Sequence, residues 1–249
     1  MYFAVSGPQT IRIQRREDGV AIDQVVLSPD RFLRVPPGAA KLDTTIYPEH
    51  PGNTPPPSNE GELVLYAGSA VIVGDGFTVA SDPTAAGGRV LQSINRGTSK
   101  IVTAVPGPAT YAELGFVAEA GRSYRLWVRG KASANYWGND SVHVQFSDSV
   151  DAAGNAAFRI GTSESAVINL EDCSGCGLRG WGWQDNGWGV GVLGPEISFA
   201  STGTKTLRIQ NREDGLAIDQ IVLSPATYLD RSPGRSKDDA TILPEQPGS

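Results

Sequence analysis

Two short stretches gather the residue types that could do chemistry: Asn135-Tyr136-Trp137-Gly138-Asn139-Asp140 and Gly180-Trp181-Gly182-Trp183-Gln184-Asp185-Asn186-Gly187-Trp188. Four of the five tryptophans of the chain lie here, interleaved with amides and carboxylates. Flat rings beside Asn, Asp and Gln suit ligands that present an apolar face and a rim of hydroxyls, as sugars do. Trp137, Trp183 and Trp188 are the candidate stacking rings. Asn139, Asp140, Gln184, Asp185 and Asn186 are the candidate hydrogen-bonding groups around them. The competing reading makes the rings structural, since large aromatics also plug the ends of β-sandwiches. A period of two would send Trp181 and Trp183 the same way, so one of them is expected in the core or as sheet cover.

Catalytic patterns are missing. The chain has no Gly-x-Ser-x-Gly elbow, no His-Glu-x-x-His and no phosphate loop. Glu171 and Asp172 are neighbours, and neighbours on a strand point to opposite faces, which makes a poor acid/base pair. No enzyme is expected. Cys173 and Cys176, in Cys-Ser-Gly-Cys, offer half a zinc site with neither histidine nearby in sequence. The glycine-rich run after them argues against a redox-active helix start. A disulfide-pinned loop in an oxidising compartment, free thiols, and redox or metal chemistry remain open, the first being favoured. The net charge of −6 with scattered basic residues argues against nucleic acid and anionic membranes as partners. No apolar run reaches the ~18 residues needed to span a bilayer, and no signal peptide opens the chain.

These stretches must be positioned by short strands. Gly 30, Pro 17 and β-prone runs cut by turn residues favour a sandwich or barrel. Strands are expected near 62–67, 77–80, 89–92, 111–118, 124–131, 141–147, 167–170, 197–200, 205–211 and 216–223. Along 124–131, Tyr124, Leu126 and Val128 alternate with Arg125, Trp127 and Arg129, so the first set should face the core. Trp127 between two arginines is then either a binding platform or cover for the sheet.

The chain also repeats itself. Thr10-Ile-Arg-Ile-Gln14, Arg16-Glu-Asp-Gly19 and Ile22-Asp-Gln24 recur as Thr206-Leu-Arg-Ile-Gln210, Arg212-Glu-Asp-Gly215 and Ile218-Asp-Gln220, a constant offset of 196 positions. About 30 of the first 52 positions are identical, far beyond chance. The expected organisation is a C-terminal hairpin of a preceding repeat over 1–33, turning at Glu17-Asp18-Gly19, and a proline-rich linker over 34–59. A complete module follows over 60–229, then a linker to a following repeat over 230–249. A lone hairpin is marginal in water. Residues 1–33 must therefore pack on their own module, exchange into a neighbouring molecule as a route to self-association, or stay disordered.

Asp82-Pro-Thr-Ala-Ala-Gly-Gly88, Gly121-Arg-Ser-Tyr-Arg-Leu-Trp-Val-Arg129, Thr206–Gln210, Asp214-Gly215 and Ile218-Asp219, in that order, resemble the jelly-roll carbohydrate-binding modules of the family 6, family 35 and malectin-like group. They also resemble repeats of large secreted bacterial proteins. The resemblance implies an all-β fold, a two-sheet antiparallel β-sandwich (jelly roll), and an extracellular or cell-surface location. It implies a structural calcium held in part by an aspartate of the last strand, a position matched by Asp219. Tyr66-Ala67-Gly68-Ser69 stands where the group has its other acidic residues. Calcium elsewhere, on Asp140, Asp172 or Asp185, is not specified by spacing. The implied function is non-catalytic binding of a polysaccharide or glycan by aromatic stacking. The alternative is a structural spacer or filament repeat assembling through its N-terminal hairpin.

Overall fold

The computed structural model describes residues 16, 18–26, 32, 34–46 and 61–246. The chain divides into two units, residues 1–58 and 59–249.

The second unit is a two-sheet antiparallel β-sandwich of jelly-roll type. Thirteen strands run in chain order: β1 Leu63–Tyr66, β2 Val71–Val73, β3 Phe77–Ser81, β4 Arg89–Ser93, β5 Tyr111–Ala118, β6 Ser123–Ala132, β7 Ser141–Phe146, β8 Ser149–Val150, β9 Ala166–Asn169, β10 Gly182–Gln184, β11 Ile197–Phe199, β12 Gly203–Asn211 and β13 Leu216–Ser224. One sheet has the order β2-β5-β12-β7-β9. The other has the order β3-β4-β13-β6-β11-β8, with β1 pairing β13 and β10 pairing β6. Every strand expected between residues 62 and 223 is present, while the short β2, β8 and β10 went unforeseen. Three residues or fewer leave too little alternation to be seen.

Alternation decides the core. Tyr124, Leu126 and Val128 of β6 meet Leu207 and Ile209 of β12 and Val142, Val144 and Phe146 of β7 in one buried cluster. At one end Phe116, Phe146, Phe199 and Tyr124 pack edge to face, with ring centroids 5.5 to 6.3 Å apart. The register of β13 against β6 slips between Ile218 and Gln220. The bulge leaves Asp219 as the extra residue, so that Leu216 and Ile218 before it and Ile221 and Leu223 after it all reach the core.

The outer face of the eight-stranded sheet carries Val64, Trp127, Trp183 and Val222 in a second buried cluster, joined by Tyr228 and Leu243. The segment 230–246, expected as linker, supplies that cover. Val64 and Gln246 exchange two backbone hydrogen bonds of 2.7 Å, and Trp183 N donates to the Arg235 carbonyl at 3.0 Å. Leu243 N donates to Gln220 Oε1, while the Leu243 carbonyl accepts from Gln220 Nε2 and from the Tyr66 hydroxyl. Its composition reads as linker because the turns carry it, whereas the sheet face it covers is apolar and would otherwise meet water.

The Asp-Gly signal for a hairpin is corrected in this unit. β12 and β13 lie in different sheets, so Arg212–Gly215 is a corner between layers. Asp214 Oδ2 accepts from Arg96 N, Thr98 N and Thr98 Oγ, which ties the corner to the loop before β5 instead of closing a two-strand turn. Gly215, at φ 94°, is required there: a Cβ would come within 2.8 Å of the Asn139 side chain.

In the first unit residues 1–15, which include the first arm of the expected hairpin, lie outside the described residues. Residues 20–26 are described and form no strand. Val20, Ile22, Val25 and Val26 are exposed, while their counterparts Leu216, Ile218, Ile221 and Val222 are wholly buried. One local turn survives in both copies. Ala39 N donates to Asp43 Oδ1 at 3.1 Å and Arg235 N to Asp239 Oδ2 at 2.8 Å, and the preceding Leu42 and Asp238 both have positive φ. Short-range geometry follows the shared sequence, and the strands need the rest of the sandwich.

Candidate functional site

A cleft of ≈ 330 Å³ opens beyond one end of the five-stranded sheet. Ser141 pairs with Asn169 and Val142 with Asn211, so the start of β7 and the ends of β9 and β12 meet at that end. Asp140, Asn169 and Glu213 therefore arrive together on the floor. Glu171, Ser174 and Gly175 form one wall, Lys100 another, and Trp137 and Trp188 complete the lining. Cys173 and Cys176 are joined in a disulfide with Cα atoms 5.3 Å apart, which bears out the pinned-loop reading and shapes the wall at Ser174-Gly175.

Trp137 and Trp188 are exposed to 61% and 58%, unusual for the largest apolar ring. Trp137 sits on a single 3-10 turn, Trp137–Asn139, with Tyr136 tilted against it at 5.1 Å. Trp188 sits on a loop built by Asp185, whose oxygens accept from Gly187 N at 2.9 Å and Gly194 N at 2.7 Å. Asn186 closes the same loop by donating to the Pro195 carbonyl.

Asp140 is buried to 1% exposure. Its Oδ2 accepts from Glu171 N at 2.8 Å, while no donor group reaches Oδ1. Burial above all, then a hydrogen bond with Glu213 and the charges of Glu213 and Glu171, lift its carboxyl to about 7, against the Glu171 N–H. The two carboxyls therefore share a proton that Asp140 keeps. Glu213 is buried too, but Ser141, Lys100 and that shared proton hold it below its ordinary value. Ser141 Oγ donates to Glu213 Oε2 at 2.5 Å, and Lys100 Nζ lies 2.9 Å from Oε1. Lys100 is delivered by the corner, since Ile101 N bonds the Arg212 carbonyl.

Of the residues expected at the site, Trp137, Asp140 and Trp188 line the cleft. Trp183 is corrected: it is 1% exposed, lies on β10 opposite Arg129, and donates Nε1–H to Asp239 Oδ1 at 3.0 Å. Trp181 is buried as well, in a separate cluster with Ala85, Val90 and Ala217. Trp127 is likewise cover, its Nε1–H on the Tyr228 carbonyl. Asn139 is buried on the Ser133 carbonyl, and Gln184 donates to the Leu170 carbonyl, so both act as scaffold with Asp185 and Asn186. Sequence reasoning missed Lys100, Asn169, Glu171 and Glu213. Glu213 belongs to the repeated Arg-Glu-Asp-Gly, and a charged motif kept in both copies was the signal available.

Asp219, expected as a calcium ligand, is fully buried and engaged by protein groups. Arg129 Nη1 and Ala86 N both donate to its Oδ2, and Arg129 also pairs with Asp239 through Nε at 3.4 Å and the Asp239 carbonyl at 3.0 Å. The Arg129 guanidinium lies 4.8 Å from the Trp181 ring centroid. Calcium needs six to eight oxygens; Asp219 Oδ1 has no partner, but a guanidinium stands beside it. The residues do not fit calcium there. Among the described residues, one cluster of potential ligand atoms occurs, Asp172 with Cys173 and Cys176, and its sulfurs are spent in the disulfide.

No protein-family model matches the chain, and no curated protein does. Solved structures with a related fold include a Podospora anserina GH26-CBM35 β-(1,4)-mannanase, at 14% identity and TM-score 0.42, covering 70% of this chain and 29% of that one. A family 35 carbohydrate-binding module from Clostridium thermocellum is 15% identical with TM-score 0.37, over 65% of this chain and 97% of the module. A carbohydrate-binding module CBM36, in complex with calcium and xylotriose, is 14% identical with TM-score 0.37, over 65% and 98%. The chain thus spans less than a third of the mannanase.

Proposed function

We propose that this chain is a non-catalytic module that binds polysaccharide in the cleft. One observation carries the reading: two exposed tryptophans line a single polar cleft together with Asp140, Asn169, Glu171 and Glu213. Stacking a sugar face on Trp137 or Trp188 removes apolar surface from water, and the amide and carboxylates take up hydroxyl hydrogens. The disulfide fits an oxidising, extracellular setting, and among the described residues no helix is long and apolar enough to cross a membrane. Binding is expected without calcium, because Arg129 already neutralises Asp219.

Glycoside hydrolysis is disfavoured by the same carboxylates. A hydrolytic pair must stand roughly 5 Å or more apart to admit the scissile bond, whereas Asp140 and Glu213 are hydrogen-bonded to each other. A second reading, a structural repeat that self-associates through residues 1–33, draws on the exposed Val20, Ile22, Val25 and Val26, whose counterparts are buried in the sandwich.

A glycan array with the whole chain and its Trp188→Ala variant, with and without EDTA, tests the first reading. Retention on a glycan, lost in the variant and indifferent to EDTA, is the expected result. A blank array with folded protein refutes it. Sedimentation velocity before and after deletion of residues 1–33 tests the second reading: association lost on deletion supports it, and a monomer at high concentration refutes it.

A further inference from the structure

We propose that the cleft selects glycans bearing a protonated amine, such as oligomers of 2-amino-2-deoxyglucose without the acetyl group; this rests on the cleft being a sugar site. The charge around it is unbalanced. The carboxylates of Glu171 and Glu213 line it, beside the buried Asp140, which keeps its proton. Lys100 is the only cation lining the cleft among the described residues, and it is committed to Glu213 at 2.9 Å. Arg212, behind the floor, is occupied with Ser141 Oγ at 2.8 Å and Asn169 Oδ1 at 3.2 Å.

One charged acceptor position remains for a ligand. Glu171 uses one oxygen on Gly177 N at 2.6 Å, which leaves the other. An ammonium has three N–H donors and no acceptor, so it suits that carboxylate oxygen. The rings add to this: a cation held over a tryptophan face gains from the ring quadrupole, and Trp137 and Trp188 are both exposed here. A uronate would meet the like charge of Glu171. A neutral sugar would stack equally well and gain neither the ion pair nor the cation–π contact. The net charge of −6 further favours approach by a polycation.

Titration calorimetry of the whole chain with glucosamine tetramer, its N-acetylated form, a neutral xylo-oligomer and a galacturonate oligomer tests the proposal. The glucosamine tetramer is expected to bind about tenfold more tightly than the others. Its advantage should shrink between about 50 and about 500 mM NaCl, as screening of a surface ion pair requires. Glu171→Gln keeps the acceptor for Gly177 and removes only the charge. It is expected to weaken the glucosamine tetramer about fivefold more than it weakens any neutral oligomer. Equal affinity for the neutral and acetylated oligomers, with Trp188→Ala still abolishing binding, overturns amine selection and leaves the sugar site standing. Preference for the galacturonate, or an unaltered preference in Glu171→Gln, overturns it as well. No binding of any oligomer overturns both the selection and the sugar site.

Discussion

Replacing Asp140 by asparagine should make the protein more stable in mild alkali and leave it unchanged in acid. Asp140 ionises near 3.8 in an unfolded chain and near 7 in the fold. Below about pH 4 both states hold the proton, and the residue contributes nothing to the pH dependence. As pH rises through the interval between those values, the unfolded chain releases the proton and the folded one keeps it, so stability declines. The decline is complete by about pH 8. The gap is about 3 pH units, which at 1.36 kcal/mol per unit sets an upper bound of roughly 4 kcal/mol. Glu213, held below its ordinary value, gives part of that back above about pH 4.5, so the observed loss should be smaller. Asparagine preserves the acceptor for Glu171 N and turns an N–H toward Glu213, which removes the proton uptake without opening a hole. Urea unfolding of both proteins at about pH 4, 6 and 8 reads the difference directly. Asp82, lowered to about 2 first by its hydrogen bond with Lys131, loses its stabilising contribution only in stronger acid, and it cancels between the two proteins. A stability difference that stays flat with pH, or a wild type that is the more stable at about pH 8, would refute the shared-proton account.

Arg129→Met should cost about 3–5 kcal/mol, because it abandons two buried carboxylates, Asp219 and Asp239; EDTA, by contrast, should leave the wild-type melting temperature where it was. Trp183→Ala is expected to lose about 3–5 kcal/mol by opening a cavity under the C-terminal cover. Trp188→Ala should stay within about 0.5 kcal/mol of wild type in the same chemical melts. Changing both Cys173 and Cys176 to serine should cost no more than about 2 kcal/mol, given the short loop closed. Calorimetry should show weaker ligand binding in that variant as the Ser174-Gly175 wall loosens, and unchanged binding would show that the wall plays no part.

The strands were legible in the sequence because their alternation is regular: Leu126 and Val128 in, Trp127 and Arg129 out. The layer assignment was not. Asp214-Gly215 carries the local signature of a tight turn, and only the tertiary bonds from Arg96 and Thr98 reveal it as a corner. At the site, composition located the two loops and the two exposed rings. It could not separate Trp188 from Trp183, since the difference is what lies above each ring, and that is a segment some fifty residues downstream of Trp183. Glu213 and Lys100 stand more than a hundred residues apart and meet because Ile101 N bonds the Arg212 carbonyl. A pairing of that range leaves no trace in local spacing.

The bond between Val64 and Gln246 has a mechanical consequence. The pairing is antiparallel, so Leu63, where β1 begins, and Gln246 lie at the same end of the sheet. Tension between them opens the Val64–Gln246 pair first, then the bonds of Leu243, then those of Asp239, each loaded alone. Peeling residues 230–246 in this way would release about 55 Å of chain. Under load the covering segment would act as a tether that yields in steps.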